Sequence, residues 1–317
     1  MSQPLIEIRD LKKYFDTSQG PLHAVDNINL SINKGQTLGV VGESGCGKST
    51  LGRAILRLVE PTSGEILYKG ENIVDYDVNK MRNTRRDLQM IFQDPYSSLN
   101  PRMTVGETIA EPLKVNGFKG SREELSQKIE ETMETVGLSN RLINSYPHEL
   151  DGGRRQRIGL ARAIILEPEF IVCDEPVSAL DVSIQAQILN LLMDLQDQKD
   201  FSYLFITHDL SVVKHISDEI VVMYIGQCIE RANAKQLFAN PLHPYSIALL
   251  HAILAPNLRN RGKPKKVLRG EVTSPINPIP GCRFAPRCAH ASERCLNRDI
   301  ELKEVEPGHW VACTLFE

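Results

Sequence analysis

Gly42-Glu43-Ser44-Gly45-Cys46-Gly47-Lys48-Ser49-Thr50 fits the pattern G-x-x-x-x-G-K-[ST]. Before it runs Gln36-Thr-Leu-Gly-Val-Val-Gly42, an apolar stretch that predicts a buried strand ending at glycine. After it, Lys48 to Leu58 predicts a helix, with Ile55, Leu56 and Leu58 at apolar positions. Strand, glycine-rich loop and helix in that order are the context in which the match predicts a phosphate cradle. Glycines at 42, 45 and 47 let the backbone curl until successive N–H groups point at phosphate oxygens. The helix adds the positive end of its dipole. Lys48 is expected on the β and γ phosphates, and Ser49 places a hydroxyl where Mg²⁺ would bind. The fold class that follows is α/β, of the P-loop NTPase kind.

A phosphate cradle binds a nucleotide but does not hydrolyse it. Phe170-Ile-Val-Cys-Asp174-Glu175 ends an apolar strand on two acids. Successive strand residues point to opposite sides, so the two carboxylates can take different roles. Asp174 is expected to support Mg²⁺, and Glu175 to polarise an attacking water as general base. The strand is entered from a helix carrying Ile158, Ala161 and Ile165 on one face. Ser202 to Thr207 and Ile220 to Tyr224 predict further strands. Between them the pattern alternates as in an α/β domain. From about Asp94 the strand signal stops, and polar helices such as Ser121 to Val136 predict a helical insertion over about 94–155.

Composition limits the rest. The chain has 317 residues, 24% charged and 41% hydrophobic, enough to bury a core. A net charge of −3 excludes a general nucleic-acid coat, so no nucleic-acid partner is expected. No apolar run reaches the roughly 18 residues of a membrane span, and Met1 to Ile8 has no signal-peptide pattern. The expectation is a cytosolic protein that reaches a membrane only through other chains. In that compartment its seven cysteines are not read as disulfides. Composition shifts near Asn240: Arg259 to Lys266 is basic, and Pro275, Pro278 and Pro280 break the stretch before a cysteine-bearing tail. The expected domains are 1–240 and 241–317.

With these residues in place, the chain resembles the ATP-binding subunits of ABC transporters over about residues 5 to 230. Ile91-Phe-Gln93 is similar to the family's Q-loop, whose glutamine reaches Mg²⁺. Ser178-Ala179-Leu180-Asp181 resembles the D-loop, and Thr207-His208-Asp209 the switch histidine that contacts the γ-phosphate. Phe15, or its neighbour Tyr14, is placed like the aromatic that stacks on adenine. The resemblance implies a RecA-like core with an antiparallel β subdomain, and catalytic roles for Glu175, His208 and Gln93. Its Mg²⁺ ligands would be Ser49, Gln93 and Asp174.

The family signature L-S-G-G-Q stands here as Leu150-Asp151-Gly152-Gly153-Arg154. In the family this motif addresses the ATP bound on the opposite subunit. An ionised Asp151 near phosphate would repel by ~4 kcal/mol per charge pair at about 4 Å and an effective dielectric near 20. Arg154, at i,i+3 spacing, would offset it. Asp151 also suits a helix cap as well as serine does. Both readings stand at this stage.

Pro241-Leu-His-Pro-Tyr-Ser246 and Gly281-Cys-Arg-Phe-Ala-Pro-Arg-Cys288 extend the resemblance to the dipeptide and oligopeptide importer ATPases, of the F-type subunit. The implied function is ATP hydrolysis powering peptide import, with nickel or another small solute as the alternative cargo. A soluble ABC ATPase outside transport is the further rival. The implied partners are a second, homologous ATP-binding subunit, two transmembrane permeases and an extracytoplasmic peptide-binding protein. Its implied place is the cytoplasmic face of the membrane, as a peripheral subunit.

Cys282, Cys288, Cys295 and Cys313 are separated by five, six and seventeen residues. Four thiolates suit a tetrahedral Zn²⁺ or a [4Fe–4S] cluster, and the spacing matches the tight patterns of neither. Arg283, Arg287 and Arg294 alternate with them and would offset the negative charge of such a centre. The resemblance implies the iron–sulfur cluster, since some peptide-importer ATPases carry one in this tail.

Overall fold

The structure is a computed structural model that describes residues 3–94, 96, 98–253 and 273–317. Pro95 and the basic stretch Arg259 to Lys266 lie outside the described residues. Two compact units emerge. The first takes the described residues of Met1–Asn33, Thr37–Val74 and Phe205–Glu317, and the second those of Lys34–Gln36 and Asp75–Leu204.

In the first unit, β1 (Ile6–Thr17) and β2 (Gly20–Ile32) pair antiparallel, from Ile6 opposite Ile32 to Thr17 opposite Gly20. Ile6, Ile8 and Leu11 are buried on one strand and Ile28, Leu30 and Ile32 on the other. Exposed or half-buried polar residues stand between them, the period of a half-buried strand. β3 (Thr37–Val41) is buried at every position and leads through the glycine loop into α1 (Lys48–Ile55). That helix stops short of the expected Leu58. Arg57 takes a left-handed conformation at φ 48, and the Leu58 N–H turns back to the Arg53 carbonyl at 2.9 Å. β4 (Ser63–Tyr68) and β5 (Glu71–Asn72) complete a sheet of order β2-β1-β4-β5.

The second unit opens with α2 (Val78–Thr84) and β6 (Leu88–Ile91). Its helices α3 (Val105–Val115) and α4 (Arg122–Thr135) each begin with a capping box, Thr104 with Glu107 and Ser121 with Glu124. Then come α5 (Gly152–Ile164), β7 (Phe170–Asp174) and α6 (Val182–Lys199). β6 and β7 run parallel, Leu88 opposite Phe170 and Ile91 opposite Cys173. β8 (Ser202–Ile206), whose residues to Leu204 belong to this unit and whose last two belong to the first, lies on the other side of β7 and is buried throughout, as its apolar run requires.

The chain returns to the first unit through α7 (Leu210–Ile216), β9 (Glu219–Tyr224), β10 (Gln227–Asn233), α8 (Ala234–Ala239) and α9 (Pro244–Ile253). β11 (Lys303–Glu306) and β12 (His309–Val311) come from the tail. They join a run of order β11-β12-β10-β9-β3, parallel at β9–β3 and antiparallel elsewhere. Tyr224 of β9, Tyr245 of α9 and Phe284 of the tail close an aromatic core, their ring centroids 4.8 to 5.4 Å apart. Among the described residues no helix is long and apolar enough to cross a membrane.

Candidate nucleotide site

The glycine loop joins β3 to α1 in the first unit. Gly47 is the N-cap of α1, at φ 104, and a Cβ there would stand 1.9 Å from the Ala24 carbonyl oxygen. Gly42, at φ 155, would place a Cβ 2.2 Å from the Met223 carbonyl oxygen. Only glycine fits at either position. Gly47 brings no side chain to cap the helix, so the first-turn N–H groups keep the geometry that suits an anion. Lys48 is buried, and its Nζ donates to the carbonyls of Gly42 and Glu43 at 2.9 and 3.0 Å. Burial pushes the Cys46 thiol up, against the pull of Lys48, so it stays a neutral wall of the loop.

Glu43 is held by two residues that the sequence did not flag for this loop. Its N–H donates to the Tyr245 hydroxyl at 2.8 Å, and Arg287 donates to both carboxylate oxygens at 2.7 and 3.0 Å. Tyr245 lies in the quoted Pro241 to Ser246 stretch, but nothing in that stretch indicates its partner. Of the two aromatic candidates, Tyr14 is engaged: its hydroxyl donates to Asp26 at 2.5 Å and its ring stacks on His23. Phe15 is 38% exposed, with the Lys13 ammonium 4.8 Å from its ring centre. Thr207 ends β8's run with its N–H on the Val40 carbonyl, and exposed His208 follows. Asp209 then caps α7 by accepting from the Ser211 N–H.

In the second unit β7 delivers Asp174, which is buried, and then Glu175. Glu175 sits at φ 46, left-handed and strained for a residue with a side chain. Its Oε2 accepts from Gln93 Nε2 at 2.9 Å. The Glu175 carbonyl accepts from the Ser178 hydroxyl at 3.1 Å, and Gln185 donates to the carbonyls of Val177 and Leu180. Asp181 caps α6 through the Ile184 N–H. The stretch Ser178 to Asp181 is thus a turn tied at both ends.

Asp151 is the N-cap of α5, accepting from the Arg154 N–H at 2.8 Å, and the Arg154 guanidinium lies 3.5 Å from its second oxygen. Both local roles read from the sequence, cap and neutralised charge, occur together. Leu99 is a correction. The sequence from Asp94 to Met103 holds Tyr96, Leu99 and Pro101, an apolar set that reads as a surface for docking a permease helix, yet Leu99 is only 4% exposed. Tyr96 is 63% exposed, with the Arg155 guanidinium 3.8 Å from its ring centre.

Cys282, Cys288, Cys295 and Cys313 line one small cavity, together with His243, His290 and Thr314. All are free thiols. Burial, and the charges of the other three cysteines, push Cys282 up to about 11. Burial likewise raises Cys288 and Cys313. Burial acts the same way on Cys295, but hydrogen bonds with Thr314 and Ser292 outweigh it and leave its pKa lowered. Among the described residues no set of three or more His, Cys, Asp or Glu closes on a metal-ion position. The three arginines that alternate with the cysteines also pair with carboxylates, Arg283 with Asp26, Arg287 with Glu43 and Arg294 with Glu317. Arg294 still acts on the cysteines, since its charge helps to lower the Cys295 pKa. Sequence reasoning also missed Glu230, fully buried, which accepts from the N–H groups of Leu242 and His243 and lies 2.8 Å from His309 Nε2. A lone acid on a strand carries no signal of such a role.

The ABC transporter family matches residues 25–178, and the family described as oligopeptide/dipeptide transporter, C-terminal region, matches residues 229–295. The oligopeptide transport ATP-binding protein AppF of Bacillus subtilis (strain 168) is 49% identical over 325 residues, covering 99% of this chain and 98% of that protein. The dipeptide transport ATP-binding protein DppF of Haemophilus influenzae is 48% identical, covering 98% and 96%. Among solved structures, the dimeric ATP-binding cassette MJ0796 with ADP and phosphate superposes with a TM-score of 0.67. It is 29% identical and covers 72% of this chain and 98% of its own. The structure of cbiO1 from Clostridium perfringens, part of the ABC transporter complex cbiONQ, gives 0.67 at 25% identity, covering 80% and 97%. Loop, acidic strand end, cassette fold and C-terminal region agree, and the chain belongs to the ABC transporter ATP-binding proteins, in the branch that carries the oligopeptide/dipeptide transporter C-terminal region.

Proposed function

We propose that this chain is the ATP-hydrolysing subunit that energises import of dipeptides or oligopeptides through an ABC transporter. The observation that carries the reading is the Gln93–Glu175 pair at the end of β7, in a chain that also holds the Lys48 loop. Relatives named for oligopeptide and dipeptide transport match almost the whole length.

Lys48 and the amides of Gly42 to Thr50 hold the phosphates, and Phe15 stacks on adenine. Ser49 on the first unit, and Gln93 and Asp174 on the second, each offer a hard oxygen donor of the kind that Mg²⁺ would take. When bound, that ion neutralises charge on the β and γ phosphate oxygens. Glu175 takes the proton of the attacking water as general base, with Gln93 orienting its carboxylate. His208 contacts the γ-phosphate. Leu150 to Arg154 serves the ATP of a second, homologous subunit, and Ser178 to Asp181 lies along that same interface.

The remaining partners are two transmembrane permeases and an extracytoplasmic peptide-binding protein, which hold this chain at the cytoplasmic face of the membrane. Exposed Tyr96 marks the surface that meets a permease. The four tail cysteines would hold a metal centre, a [4Fe–4S] cluster in preference to Zn²⁺, although as they stand they do not close on one ion position. Their lining of one small cavity is what supports a common ligand.

The test is reconstitution with permeases and partner ATPase in vesicles loaded to report peptide uptake. Uptake should require ATP and vanish with Lys48→Ala. ATP-dependent uptake that persists in that variant, or a complex that moves nickel and no peptide, would overturn the reading.

A further inference from the structure

The first variable residue of the phosphate loop is gripped from the C-terminal region at both its backbone and its side chain. Arg287, on the short 3-10 turn Ala285–Arg287, has a side chain only 5% exposed. Its two terminal nitrogens donate to the two oxygens of Glu43 at 2.7 and 3.0 Å, the planar fork that only arginine provides. Tyr224 lies against the same guanidinium, its hydroxyl 3.3 Å from Nη1. Tyr245, fully buried on α9, accepts the Glu43 N–H. The Glu43 carbonyl in turn accepts from the Lys48 ammonium at 3.0 Å. Three contacts on one residue thus link the tail to the lysine.

A glycine-rich loop has little of its own to hold its shape. A Cβ at Gly45 would meet nothing within 4 Å, so the middle of the loop packs against no neighbour there. Ordering such a loop on a ligand costs conformational entropy unless its ends are already fixed. The Arg287 fork and the Tyr245 hydroxyl fix the Glu43 end, and Gly47 is fixed by its close fit on Ala24.

We infer that Arg287 is a positioning residue for the phosphate loop: acting through Glu43, it sets where the Lys48 ammonium and the loop amides meet a nucleoside triphosphate. The C-terminal region is thereby part of the nucleotide site, beyond any part it plays in holding a metal. The inference rests on reading Gly42 to Thr50 as that site.

The experiment uses the full chain and magnesium–ATP, with affinity read by calorimetry, KM and kcat by phosphate release, and folding by thermal melting. Binding by the unaltered chain, lost with Lys48→Ala, is measured first. Its failure would remove the underlying reading rather than this one. Arg287→Met and Glu43→Gln should then weaken affinity by roughly tenfold to a hundredfold, the range for a stranded charged partner. The loss should appear in KM and leave kcat nearly unchanged. Arg287→Lys, which keeps the charge without the fork, should recover part of it. The double variant Arg287→Met/Glu43→Gln should lose no more than either single change, because both cut the same link. Should Arg287→Met not fold, Arg287→Lys and Glu43→Gln carry the same comparison. Folded variants that melt earlier yet bind magnesium–ATP as tightly as the unaltered chain would overturn the proposal. So would additive losses in the double variant.

Discussion

Gln93 and Glu175 stand 82 residues apart in the chain and meet side chain to side chain, Nε2 to Oε2, at 2.9 Å. The contact depends on β6 and β7 running parallel, so that Ile91 and Cys173 lie opposite each other just before the two residues emerge. Glu175 itself takes the left-handed conformation, at φ 46, directly after the end of β7. A non-glycine residue there costs about 1 to 3 kcal/mol, a strain typical of sites where orientation matters more than stability.

Glu175→Gln is therefore expected to slow hydrolysis by about 10²- to 10⁴-fold, the usual contribution of a general base. ATP affinity should change little, since the phosphate loop is untouched. Single-turnover phosphate release, set beside equilibrium binding, separates the two effects. Near-normal release would remove Glu175 from the base role.

Asp151 carries two local functions that substitutions can divide. Asp151→Ala should cost about 1 kcal/mol through the lost cap on α5. Asp151→Ser should keep the cap and remove the charge. In the assembled complex, Asp151→Ser should tighten nucleotide at the partner's site and spare the site built on Lys48. Occupancy measured at each site separately checks this, and a change confined to the Lys48 site would contradict the head-to-tail arrangement.

Tyr96 and Leu99 now have different expected phenotypes. Tyr96→Asp, at an exposed ring, should leave melting and ATP binding near normal while peptide uptake falls. Leu99→Ala, at a buried site, should instead destabilise by about 2 to 5 kcal/mol. Thermal melting of the isolated chain together with vesicle uptake distinguishes them. Full uptake by Tyr96→Asp would remove this surface from permease docking.

Chain purified without oxygen should be brown, with iron and sulfide in near-equal amounts, and Cys288→Ser should lose both. One zinc per colourless chain would replace the cluster while keeping the four ligands. Absence of both metals from such a preparation would end the proposal of a metal centre.

The glycine loop, the acidic strand end and the buried strands around them were legible because each is a local pattern. Phosphate binding needs glycines and a lysine at fixed spacing, and a strand covered on both faces reads as a continuous apolar run. Ser121 and Asp151 were legible as helix starts for the same reason, since a cap acts within one turn. Contacts between distant segments leave no such trace. Arg287 reaches Glu43 across 244 positions, and Arg283 reaches Asp26 across 257, so neither periodicity nor spacing marks them. The alternation of arginines with cysteines pointed to a shared charge, and folding also gave each arginine its own carboxylate. Leu99 looked like a surface residue among prolines and aromatics, and packing buried it. The sequence by itself determined the chemistry available to this protein, because that chemistry resides in residue types at short spacing. Tertiary structure alone decided which residue holds which, because burial and ion pairing are settled only when distant segments compete for the same space.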